Sequence, residues 1–142
     1  MEQNSQITIS KLFFDTNPIV IGINVLGEFV MLLATGFILV QENNSVYLIR
    51  MLGLNYNKFY SDINKMIDEF NELQTEVKAD VGDFPFLMIV KAALNSDRNY
   101  WVELSKTWII KLGREKFLDE ISAIQLNKKI NQKIRHSFLK LE

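Results

Sequence analysis

From Phe59 to Val77 the apolar residues recur at intervals of three and four: Phe59, Ile63, Met66, Ile67, Phe70, Leu73 and Val77. That spacing puts them on one side of a helix and leaves the other side polar, so the pattern predicts an amphipathic helix over residues 57–80. The stretch DVGDF then breaks the period. Asp83 is a candidate cap for the next helix, and Pro85 is tolerated near a helix start because first-turn amides have no intrahelical acceptor to lose. The run from Phe84 to Leu94 reads as a short buried helix. Asp97 offers a second cap ahead of RNYWVELSKTWIIKL, where Trp101, Leu104, Trp108 and Leu112 share a face and Gly113 is placed to stop the helix. Two further helical periods run through Phe117, Leu118, Ile121 and Ile124, and then through Ile130, Ile134, Phe138 and Leu141. Turns this short make consecutive helices antiparallel neighbours.

The first fifty residues carry a weaker pattern. Residues 6–14 alternate loosely, as a strand or an irregular leading segment. Residues 19–41, IVIGINVLGEFVMLLATGFILVQ, hold one charge, Glu28. Gly36 can end a helix begun near Ile19. After it, two apolar runs about a polar turn signal a hairpin. The competing reading makes Ser45 a cap for a short helix over Val46 to Leu52, stopped by Gly53 and closed by Leu54.

The apolar run raises the question of a membrane. Its fourteen Leu, Ile, Val and Phe residues, at roughly −0.3 to −0.6 kcal/mol each on an insertion scale, offset one central acid at roughly +3. The flanks point the other way, since no Lys or Arg lies between Lys11 and Arg50 and the ends carry Asp15 and Glu42. The amphipathic helices downstream need a covering element, so the run is expected to be core. Glu28 is then an acid at an exposed edge or a buried one needing a partner, with Arg50 the nearest cation in sequence. The expected fold is mainly α, a compact helical bundle or HEAT-like antiparallel helix pairs in one domain over 1–142, with room for a small β-hairpin near residues 37–51.

Composition narrows the function classes. With 48% hydrophobic and 23% charged residues the chain is ordinary for a globular domain. Cysteine is absent, which excludes disulfides, thiolate metal sites and cysteine nucleophiles; with no basic segment opening the chain, a cytoplasmic setting is expected. The net charge of −1 hides an asymmetry: residues 1–84 hold eleven acids and five bases, residues 85–142 six acids and eleven bases. Such a dipolar chain either attracts its own opposite pole or steers a charged partner.

Catalytic signatures are sparse. His136 is the only histidine, which rules out multi-histidine metal sites, and no glycine-rich phosphate loop or nucleophile elbow occurs. No cofactor is implied. The acids Asp62, Asp68, Glu69, Glu72, Glu76, Asp80 and Asp83 spread over the solvent side of a helix without a concave setting, as a solvated face, a protein-contact surface, or a hard-metal or acid–base pair. Near the C-terminus Lys129, Lys133, His136 and Lys140 form a stripe suited to phosphates, but no aromatic side chain interleaves it. Trp101 and Trp108 lie two turns apart on one face, as core or as an anchor for self-assembly.

The segment DRNYWVELSKTWIIKLGREKFLDEISAIQLNKKINQKIRHSFLKL resembles the short paired helices of HEAT-like proteins, in which an aromatic-rich helix turns back on a more basic one. In size, expected helical character and acidic surface the chain is similar to small bacterial immunity proteins, which bind and silence a toxin made with them. That resemblance transfers no individual residue. It implies a non-enzymatic module that binds a protein partner, a basic toxin domain in the first instance; membrane contact is not expected, from the flanks of residues 19–41. The alternatives are a nucleic-acid-binding regulator using the C-terminal stripe, and a structural or assembly subunit.

Overall fold

The computed structural model describes residues 6–141 and has an α+β architecture. This overturns the expected helical bundle, and with it an all-α assignment. Four strands, β1 (Ile7–Phe13), β2 (Ile19–Asn24), β3 (Phe29–Leu33) and β4 (Gly36–Leu39), form one antiparallel meander in the order β1-β2-β3-β4. The register sets Lys11 against Ile21, Ile21 against Met31 and Met31 against Ile38, while the alternate row runs Ser10, Gly22, Val30, Leu39. Both rows are mostly apolar. Strands with apolar residues on both faces lose the alternation that distinguishes a strand, which is why residues 19–41 read as one apolar helix. No hairpin spans residues 37–51: β4 pairs back onto β3, and Glu42–Gly53 forms 3-10 turns kinked at Asn44. Gly36 opens β4 rather than ending a helix. No helix among the described residues is long and apolar enough to cross a membrane.

The turns account for the sheet. Buried Asn24 accepts at Oδ1 from the amides of Leu26 and Glu28, both at 3.0 Å, and its Nδ2 donates to Glu28 Oε1 at 3.1 Å. This side-chain turn closes β2 onto β3 and leaves Glu28 exposed, which resolves its environment. Gly27 completes the turn at φ +82, a backbone region that favours glycine. At Gly22 a Cβ would stand 2.8 Å from the Ile9 carbonyl oxygen, so only glycine lets β1 and β2 approach as they do.

The backbone clusters into two compact units, residues 1–42 with 57–85 and residues 43–56 with 86–142. In the first, α1 (Tyr56–Leu73) lies on the sheet face that carries Phe13, Ile21 and Phe29. Phe13 meets Phe59 edge-on at 5.2 Å, Phe29 meets Phe84 at 5.2 Å, and Phe59 meets Phe84 at 5.7 Å. Phe59, Ile63, Met66, Ile67 and Phe70 are buried as their spacing predicts, but the helix stops at Leu73 instead of running to residue 80. Lys78 folds back with Nζ 2.9 Å from the Asn71 carbonyl and 3.0 Å from that of Gln74, and the Asn71 amide brackets the backbone of Ala79. A cation on the last carbonyls substitutes for the next turn.

The second unit is helical: α2 (Phe86–Leu94), α3 (Asn99–Leu112), α4 (Leu118–Leu126) and α5 (Gln132–Ser137), with 3-10 turns at Arg114–Phe117 and Phe138–Lys140. Its core centres on Trp108, which is fully buried, donates Nε1–H to the Leu54 carbonyl at 3.1 Å and meets Tyr56 edge-on at 5.2 Å. Gly113, at φ +110, ends α3 as expected. Two expected caps act elsewhere: Asp83 sits in the Val81–Asp83 3-10 turn, and Arg98 occupies the cap position of α3 in place of Asp97. The last helix is short because Asn131 caps it, accepting from the Lys133 amide at 2.8 Å.

Candidate functional site

The seven predicted acids separate into three groups. Asp62 is nearly buried and receives the Lys58 ammonium at 2.9 and 3.0 Å, so it belongs to the packing of α1 and not to an open face. Asp68, Glu69 and Glu72 stand exposed on the second half of α1. Glu76 and Asp80 are exposed in the loop after it, and Asp83 is exposed in the 3-10 turn. None of the last six takes part in an ion pair among the described residues. Asp68 and Glu72 are four residues apart on one helix, a like-charge spacing that disfavours the helix on its own. The sheet-containing unit holds eleven acids against four bases, and the helical unit six acids against twelve bases.

Concave features in the acidic unit are shallow. One hollow of about 210 Å³ lies between Ser10, Lys11, Asp62, Lys65, Met66 and Glu69. Another, of about 330 Å³, is bordered by Glu28, Lys78 and Asp83 beside the β2–β3 turn. Neither brings an acid and a base together around an enclosed space, and among the described residues no group of three or more His, Asp or Glu side chains is placed to hold a metal ion.

The predicted basic stripe is not carried by one helix. Lys129 lies in the turn before α5, Lys133 and His136 are exposed on α5, and Lys140 is in the closing 3-10 turn. Lys129 Nζ is 3.3 Å from Asp97 Oδ2, and Asn127 Nδ2 donates to Asp97 Oδ1 at 2.7 Å. Those two interactions, the Asn127 hydrogen bond first, hold the Asp97 carboxyl below its usual range. The Asn131 amide donates to Asn99 Oδ1 at 2.7 Å, so three contacts clasp the α2–α3 turn to the α4–α5 turn. The clasp brings Asp97 and Asn99, the residues just before Tyr100 and Trp101, against Lys129 and Asn131. Trp101 is half-buried and Trp108 fully so, which leaves no paired tryptophan surface for assembly.

One serine has a cation beside it. Lys106 Nζ lies 2.7 Å from Ser137 Oγ, yet it also pairs with Glu103 at 3.0 Å, and the Ser137 hydroxyl donates to the Ile134 carbonyl at 2.6 Å. A nucleophile needs a neutral base to take its proton. Here the Lys106 nitrogen is engaged by Glu103 and the Ser137 hydroxyl proton by the Ile134 carbonyl, and the arrangement ties α3 to α5. No protein-family model, curated protein or solved structure matches this chain.

Proposed function

We propose that this is a non-enzymatic binding protein whose acidic surface, from Asp68 to Asp83, engages a basic protein partner, with neutralisation of a toxin by occlusion as the specific role and the cytoplasm as the setting. The observation that carries the reading is the run of six exposed acids that make no ion pair among the described residues, on a unit where acids outnumber bases eleven to four. Within the chain their mutual repulsion is unfavourable, and a partner's cations relieve it. Such complementarity speeds association and selects the partner more than it raises affinity. The α+β fold removes the helical half of the resemblance to immunity proteins, so the reading rests on the electrostatics.

The test is the triple variant Glu69→Lys/Glu72→Lys/Glu76→Lys, compared with Asp15→Lys/Glu115→Lys/Asp119→Lys, which reverses the same number of exposed acids outside that surface. The partner's association rate constant should fall at least tenfold for the triple variant and little for the control; equal rates for both would remove the assignment.

A further inference from the structure

A second surface, on the helical unit and independent of the acidic one, has the chemistry of a single-stranded nucleic acid site. Tyr100 is 66% exposed and meets Trp101 edge-on at 4.8 Å, so most of its ring is open to a ligand. The clasp sets this pair beside the α4–α5 turn and the start of α5. Arg98 is two residues before Tyr100, and Lys128 and Lys133 follow the clasped residues Asn127 and Asn131 by one and two positions; all three are exposed and make no ion pair among the described residues. The nearby acids are already engaged, Asp97 by Asn127 and Lys129, and Glu103 by Lys106. A hollow of about 300 Å³ opens between α3 and α5, lined by Lys106, Lys133, Ile134 and Ser137 along with Glu103. Tyr100 lies one helical turn before Glu103, on the same side of α3 as that lining residue.

We infer that this corner binds single-stranded DNA or RNA, with a base stacked on Tyr100 and flanking phosphates on Arg98, Lys128 and Lys133. An exposed aromatic face with cations spaced around it suits an unpaired base and its backbone, since every base has a π-face and a duplex keeps its bases stacked inside. An acidic peptide would use the cations and leave the ring idle.

The experiment is fluorescence anisotropy with a labelled twelve-nucleotide oligo(dT), and with oligo(U), titrated with the full chain at 50 and 200 mM salt. Three phosphate contacts on a single strand predict a loss of affinity of about 20-fold between those salts. Tyr100→Ala should weaken binding about 5- to 100-fold, the effect of losing one stacked base. Lys133→Glu should weaken it further, while Lys116→Glu, an exposed cation in the Arg114–Phe117 turn, should change it less than twofold. Circular dichroism of each variant confirms its fold, which these exposed positions should leave intact. The inference is overturned if no binding occurs at 50 mM salt with 100 µM protein. It is equally overturned if Tyr100→Ala binds as wild type, if Lys116→Glu matches Lys133→Glu, or if a poly-glutamate peptide competes as well as unlabelled oligonucleotide.

Discussion

The sheet-containing unit and the helical unit contrast in two respects. The first is acidic, and its strands are set by turns over a phenylalanine core of Phe13, Phe29, Phe59 and Phe84; the second is basic and is built around buried Trp108. In the sheet, Asn24, Gly22 and Gly27 decide which strands meet and how closely; in the helical unit, Trp108 and its neighbours supply the stability and the turns adapt to them. A unit specified by a few backbone positions should fail at those positions, and one specified by volume should fail when volume is removed.

The largest effect is therefore expected at Trp108. Trp108→Ala should cost about 3–5 kcal/mol in urea denaturation, and Trp108→Phe less, because the phenyl ring fills most of the space and loses the bond to the Leu54 carbonyl. In the sheet, Gly22→Val should cost about 1–3 kcal/mol, since the new side chain presses on the Ile9 carbonyl. Asn24→Ala should cost a similar amount, about 1–3 kcal/mol, by depriving the Leu26 and Glu28 amides of their acceptor. If Asn24→Ala proves neutral while Gly22→Val does not, close packing and not the side-chain turn specifies the sheet.

Smaller effects sharpen the contrast between the acids. Asp62→Ala should destabilise more than Glu72→Ala, which should stay within about 0.5 kcal/mol because its side chain is exposed and makes no ion pair among the described residues. The smallest effect belongs to the clasp. Asp97 has a lowered pKa in the folded chain, so its contribution is present above the ordinary carboxylate pKa and is lost as the pH falls through the lowered value. The melting-temperature gap between wild type and Asp97→Asn should narrow between about pH 5 and pH 3. A constant gap would mean that the carboxylate charge is not what holds the two turns.

The contrast also explains what could be read from the chain in advance. Helical elements were legible because an element packed on one side writes a period of three and four into its sequence, as Phe59 to Phe70 do. The sheet was not, because Ile19 to Leu39 is apolar on both faces and a continuous run carries no period. Helix ends misled where tertiary bonds replaced local ones: Lys78 stops α1, and Asp97 reaches to Asn127, 30 residues away, in place of capping α3. Most of the acidic surface was visible as a polar side. Asp62 was separable too, since it lies three residues after Phe59 and four before Met66, within the apolar arc. The clasp of Asp97 and Asn99 to Lys129 and Asn131 had no local signal, because its partners lie more than 30 residues apart.

Whether the acidic surface meets a basic protein is decided by native mass spectrometry of the tagged chain, purified gently from its own cells at low and at high salt. One stoichiometric basic protein is expected at low salt, released at high salt and absent from the Glu69→Lys/Glu72→Lys/Glu76→Lys variant. A bare chain at low salt, or a companion that survives both the salt and the charge reversal, would contradict it.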